Sequence, residues 1–169
     1  MVVLGIDPGY AIVGFGTVLF ENNSYRPVGF GAITTEPNVD FNRRIEIIYD
    51  EMREVIRKYN PDVMSIEKLY FQNNQKTAIA VAQARGVIVL AAQKAKIPIF
   101  EYTPLQVKTA VTGYGKAQKP QVMEMTRRLL GLAQLPTPDD TADALAIAIC
   151  HANSAGSATK MNMIKRGII

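Results

Sequence analysis

The chain has 169 residues, 48% of them apolar and 20% charged, which is enough to bury a single core and excludes a disordered chain. Its 19 Lys and Arg against 15 Asp and Glu leave a net charge of +4, too mild to point to a partner except through its distribution. Residues 1–67 carry 6 basic and 10 acidic side chains, residues 68–128 carry 10 and 2, and residues 129–169 carry 3 of each. A middle third this basic points to a polyanion such as nucleic acid, while the acid-rich first third must use its carboxylates for something else. One cysteine, Cys150, excludes an internal disulfide and reads as a buried thiol in a reducing compartment. No basic leader precedes Val2-Val3-Leu4 and no 18-residue stretch is apolar and uncharged, so a cytoplasmic protein with no membrane partner is expected.

In chain order, the runs from Val2 to Ile6, Ile12 to Phe20 and Tyr25 to Thr34 are rich in Val, Ile, Phe and Thr and are broken by Asp7-Pro8-Gly9 and Glu21-Asn22-Asn23-Ser24. They predict an antiparallel meander. From Phe41 the apolar period changes to three and four, through Ile45, Ile48, Met52, Val55 and Tyr59, and predicts an amphipathic helix closed by Pro61. A short buried strand follows at Asp62 to Glu67, then an alanine-rich helix from about Gln75 to Lys96. The next strand, Ile97 to Tyr102, contains Pro98 and so belongs at a sheet edge. Helices are expected from near Pro104, from Pro120 to Leu130 and from Pro138 to Asn153, with Gly113-Tyr114-Gly115 as a loop. These elements make one domain over residues 1–153. The small residues from Ser154 to Thr159, and the unpatterned segment after them, read as a mobile tail over 154–169. The order predicts an α/β fold with a mixed five-stranded sheet, the meander plus two parallel strands, flanked by helices.

In that topology the first and fourth strands are neighbours, and each ends on an acid, Asp7 and Glu67. Singly, Asp7 is an ordinary turn residue and Glu67 an ordinary ion-pair partner. Side by side they repel each other, and a bound cation relieves that repulsion. The last helix adds a second pair: Asp140 has a structural explanation as part of a capping box after Thr137-Pro138, whereas Asp143 opens a run apolar on nearly every face, where an unpaired carboxylate is costly. Spaced i and i+3, the two project from one face of the first turn. Four oxygen donors suit a hard cation, Mg²⁺ or Mn²⁺, rather than zinc. Two such ions about 4 Å apart beside a basic surface are equipment for phosphodiester hydrolysis.

Gly5-Ile6-Asp7-Pro8-Gly9, Ile66-Glu67, Gln83-Ala84-Arg85-Gly86, Gln106-Val107-Lys108 and Asp140-Thr141-Ala142-Asp143-Ala144-Leu145-Ala146-Ile147-Ala148 together resemble the RuvC-type Holliday junction resolvases of bacteria, in order and spacing from Met1 to about Asn153. The resemblance implies a ribonuclease H-like fold and a homodimer. It also implies a Mg²⁺-dependent endodeoxyribonuclease that resolves four-way DNA junctions by paired, symmetric nicks in recombination and repair, alongside branch-migration proteins of the RuvA and RuvB type. By position it makes Asp7, Glu67, Asp140 and Asp143 the metal-binding catalytic acids and matches Lys108 and Lys119 to lysines important for activity. Lys119 alone reads equally as a solvated loop cation. Tyr70 and Phe71 match the place where the family presents an aromatic side chain to the junction; as a bare pair they could be core, but the polar run Gln72 to Lys76 favours base stacking.

Lys76, Arg85 and Lys116 are phosphate contacts or solvated surface cations. His151 reads as a satisfied core histidine. For the dimer, the long helix offers Val81, Ile88 and Ala92 at one helical spacing. Two competing functions are a ribonuclease H-like nuclease acting on RNA, which should lack the matched lysines and aromatic pair, and a binding module without catalysis, which would not keep four repelling acids at a phosphate surface. An actin-like ATPase would need a second domain of similar size.

Overall fold

The computed structural model describes residues 1–69 and 75–165, with side chains described outside 75–76 and 157–165. The meander forms as β1 (Val2–Asp7), β2 (Ile12–Glu21) and β3 (Ser24–Thr34). Asn22 and Asn23, at φ 51° and 59°, supply the two left-handed residues that a tight hairpin between β2 and β3 needs. Helix α1 (Phe41–Tyr59) starts where the Asp40 carboxylate accepts the Asn42 N–H and stops at left-handed Asn60, whose N–H returns to the Ile56 carbonyl. Then come β4 (Val63–Glu67), α2 (Gln75–Lys94), β5 (Ile99–Tyr102), α3 (Pro104–Thr112), α4 (Lys119–Leu129) and α5 (Asp139–Lys165).

The sheet order is β3-β2-β1-β4-β5. β1 runs antiparallel to β2 and parallel to β4, and β4 runs parallel to β5, so the expected mixed sheet is present with the Pro98-led strand at its edge. Helices α1 and α2 cover one face through a core that includes Leu4, Ile6, Ile48, Met52, Ile66 and Ile88. Helices α3, α4 and α5 cover the other, around Val3, Val107, Val122, Leu145 and Ile149.

Two expectations change. The last helix does not end at Asn153 but continues to Lys165, because a run of Ala and Ser without proline sustains a helix, and Gly156 lets it pass the Phe20 ring, which a Cβ there would approach to 3.2 Å. The α2 face proposed for the dimer is core: Ile88 and Ala92 are fully buried, with Ala84 beside them, packed in the cluster that α1 shares. The face left outside carries Ile79 and Leu90, 72% and 46% exposed.

The contact that sets the α5 layer is a glycine seam. A Cβ on Gly5 of β1 would lie 2.0 Å from the Ala144 carbonyl oxygen, and one on Gly16 of β2 2.7 Å from the Leu145 side chain. Only glycine lets the helix backbone come this close to the sheet. Gly5→Ala is therefore expected to destabilise the fold by about 1–3 kcal/mol or more, read as a lower denaturant midpoint. A midpoint equal to that of the unsubstituted chain would contradict the seam.

Candidate active site

The β1–β4 register pairs Ile6 with Ile66, which sets Asp7 and Glu67 next to each other where both strands end. Across β1, Asp7 pairs with Gly14 of β2, and a Cβ on Gly14 would fall 2.0 Å from the Asp140 carbonyl oxygen. The missing side chain thus brings the first turn of α5 down at the level of Asp7. One turn further, Asp143 enters a cleft of about 250 Å³ with Asp7, Glu67, Lys108 and Lys119. Val107, Val122 and Ile147 form its apolar wall. Asp140 lies outside that lining, but its charge still acts on Asp7.

Each basic residue has a structural reason to be there. Thr103 and Gln106 form a reciprocal capping box on α3, and Lys108, on the second turn, is close enough to Glu67 for its charge to offset a small part of the rise in that acid's pKa. Lys119 opens α4, and its ammonium lies 2.9 Å from the Asp143 carboxylate and 3.4 Å from that of Asp139. Burial works against the charged amine, yet those two acids hold its pKa above the ordinary lysine value.

Asp7 is pushed from 3.8 up to about 8, first by burial, then by Glu67, Asp143 and Asp140, with Lys119 only partly offsetting them. Glu67 is raised by burial and by Asp143, against the pull of Lys119 and Lys108. Neither Asp7 nor Glu67 makes an ion pair or side-chain hydrogen bond among the described residues. Nor, among them, do three acidic, histidine or cysteine side chains already close into a metal cage; the excess negative charge is answered by the Lys119 ammonium. Adjacent oxygen donors, two of them unpaired and one protonated near neutral pH for want of a counter-charge, fit a divalent hard cation.

Other expected residues fall elsewhere. Tyr70 and Phe71 lie outside the described residues, as does the side chain of Lys76. Arg85 is not in the cleft: its guanidinium pairs with Glu101 of β5. Lys116 is exposed on the loop between α3 and α4. Asp140 makes no capping hydrogen bond among the described residues, since α5 starts at Asp139 and the Thr141 N–H bonds to the Pro138 carbonyl. His151 is the core histidine expected, 4% exposed, with Nδ1 2.8 Å from the Tyr102 hydroxyl. Cys150 is buried, its thiol pushed up to about 12. Gly14 and Asp139 were not among the residues singled out; a glycine inside an apolar strand is itself a signal of close backbone approach.

The model of the family described as crossover junction endodeoxyribonuclease RuvC matches residues 3–151. The chain belongs to the RuvC family. It is 54% identical over 154 residues to the crossover junction endodeoxyribonuclease RuvC of Halothermothrix orenii, covering 91% of this chain and 93% of that one. Its fold superposes on the Thermus thermophilus RuvC structure with a TM-score of 0.88 at 36% identity, covering 94% of this chain and 98% of that one. The T. thermophilus RuvC in complex with Holliday junction substrate gives 0.86 at 34% identity, with the same coverage. The expected ribonuclease H-like fold is thereby borne out. No described helix is long and apolar enough to cross a membrane.

The raised Asp7 pKa makes a stability prediction for RuvC-family protein free of metal. Between pH 3.8 and about 8 the folded chain holds a proton that the unfolded chain has released, so this group's contribution is complete below that window and is lost as pH rises through it. Asp7→Asn, which cannot ionise, should melt higher than the unsubstituted chain in chelator at pH 8.5, by about 2–4 °C for each kcal/mol relieved. The gap should close by pH 4. A pH-independent gap would contradict the assignment.

Proposed function

We propose that the chain is a structure-selective endodeoxyribonuclease that resolves Holliday junctions by paired, symmetric nicks in strands of like polarity, in homologous recombination and DNA repair. The supporting observation is the cleft itself: Asp7, Glu67 and Asp143 meet there with Lys108 and Lys119, in a RuvC-family chain. Asp7, Glu67, Asp140 and Asp143 would hold two divalent ions, Mg²⁺ or in its place Mn²⁺. When bound, these activate water and stabilise the leaving oxygen of the scissile phosphodiester. The protein's own groups position the strand and manage charge. Lys119, at the start of α4, and Lys108, from the α3 side, would face the negative charge that develops on the non-bridging oxygens of the scissile phosphate. Lys116, exposed on the loop between α3 and α4, adds attraction for the DNA backbone; Arg85, committed to Glu101, supports β5.

Two like nicks need two clefts, and one chain offers one. A two-fold homodimer supplies both, and the exposed α2 face with Ile79 and Leu90 is the apolar surface suited to it. Tyr70 and Phe71 are proposed to stack at the junction centre, with Lys76 as a phosphate contact. Branch-migration proteins of the RuvA and RuvB type are the proposed partners at the junction, in the cytoplasm.

The direct test is cleavage of labelled four-way junction, linear duplex and RNA hairpin, with Mg²⁺ or chelator. Paired nicks confined to the junction and dependent on the metal are expected; cutting of RNA or of linear duplex at equal rate would overturn the reading. Asp143→Asn should abolish cleavage while junction binding persists. Lys119→Ala should slow single turnover at saturating protein on the order of 10²-fold with little loss of affinity. A defect restored by adding protein would make Lys119 only a phosphate contact.

A further inference from the structure

The loop joining α3 to α4 carries an aromatic side chain that the fold does not use. Tyr114 is 59% exposed; among the described residues its hydroxyl makes no hydrogen bond and its ring meets no other ring. Its backbone, by contrast, is anchored on both sides. The Tyr114 N–H donates to the Thr112 hydroxyl at 3.1 Å, and the Tyr114 carbonyl accepts from the Ala117 N–H at 3.1 Å. The same Thr112 hydroxyl reaches back to the Lys108 carbonyl at 2.8 Å. Gly113 closes α3 in a left-handed conformation, φ 75°, its N–H 2.8 Å from the Thr109 carbonyl. A Cβ on Gly115 would meet the end of the Leu105 side chain at 2.5 Å, so the loop folds back along α3 and Leu105, itself 61% exposed, lies beside it. The ring is thus exposed on a rigid support.

A solitary exposed apolar side chain needs no explanation; the position of this one does. The loop connects the two helices that deliver Lys108 and Lys119 to the cleft. From Pro104 to Met123 the chain carries Lys108, Lys116 and Lys119 and no acidic residue. An exposed aromatic ring on a segment that carries lysines and no acid of its own matches single-stranded nucleic acid, with bases for the ring and phosphates for the ammonium groups. A protein partner would find there, among the described residues, an apolar patch of only two side chains, Tyr114 and Leu105.

We propose that Tyr114, flanked by Leu105, is a stacking contact for an unpaired nucleobase of the DNA held in the cleft. This rests on the nuclease reading above and adds to it a base-contacting element separate from residues 70–71. A base that has left its duplex stack at the branch point presents the face the ring needs; a paired base in continuous duplex does not. Stacking tolerates every base but favours purines by area.

The chain contains no tryptophan, so Tyr114→Trp installs a unique fluorophore at the proposed contact. In chelator, where cutting is blocked, four-way junction and single-stranded DNA of the same sequence should quench its emission by about half or more, and linear duplex should leave it nearly unchanged. In a parallel gel-shift assay Tyr114→Ala should bind junction roughly five-fold or more weakly, and Tyr114→Phe should bind as the unsubstituted chain does. Junction bound at undiminished affinity without quenching, or equal quenching by linear duplex, would overturn the stacking contact and leave the nuclease reading standing. If the unsubstituted chain neither binds nor cuts junction DNA, both fall together. The side chain is exposed, so all three variants should melt within about 2 °C of the unsubstituted chain.

Discussion

The contact on which the site depends is backbone against backbone: α5 lying directly on the sheet along Gly5, Gly14 and Gly16. At Gly14 the space for a Cβ is taken by the Asp140 carbonyl, 2.0 Å from where that atom would sit, and Gly14 is the β2 residue opposite Asp7. Sheet and helix are therefore indexed to each other at the level of the acids. The α5 residues from Ala144 to Ala152 are 4% exposed or less, so the helix cannot tilt to relieve the repulsion among Asp7, Asp140 and Asp143. The Ser65 hydroxyl adds one cross-layer tie, to the Ile147 carbonyl at 3.2 Å. A helix held by packing brings like charges together that in solution would separate.

Without metal the Lys119 ammonium stands against Asp143 and Asp139, and Asp7 retains a proton to about pH 8. Both are the response of a buried anionic cluster lacking enough cations. Under the proposed function, a metal held by Asp143 would compete with Lys119 for the same carboxylate.

The meander, the α1 boundaries and the strand order were legible because each rests on a local signal: period two against period three and four, an asparagine pair, a proline after the helix. That Asp7, Glu67 and Asp143 share one cleft was legible because each stands where an apolar run stops or starts, whereas Asp140 lies outside its lining. The orientation of α2 was not. That helix is apolar nearly all round, so its spacing carried no direction, and Ile88 and Ala92 went to the core while Ile79 stayed outside. The Arg85–Glu101 pair joins residues far apart in sequence, and no local pattern announces it. Ala and Ser after Asn153 resemble a linker in composition, although both sustain a helix when no proline follows. The glycines in β1 and β2 were a readable sign of close approach whose partner, α5, only the tertiary structure identifies.

The buried His151 has one more consequence. It is the only histidine in the chain, and burial lowers its pKa below the usual 6.5, so no surface imidazole gains or loses charge around neutrality. Cys150 is likewise removed from that range. The described side chains whose ionisation is pushed toward neutral pH from the acid side, Asp7 above all, line the cleft. A proton-uptake or calorimetric titration between pH 6 and 9 is then dominated, among the described side chains, by Asp7.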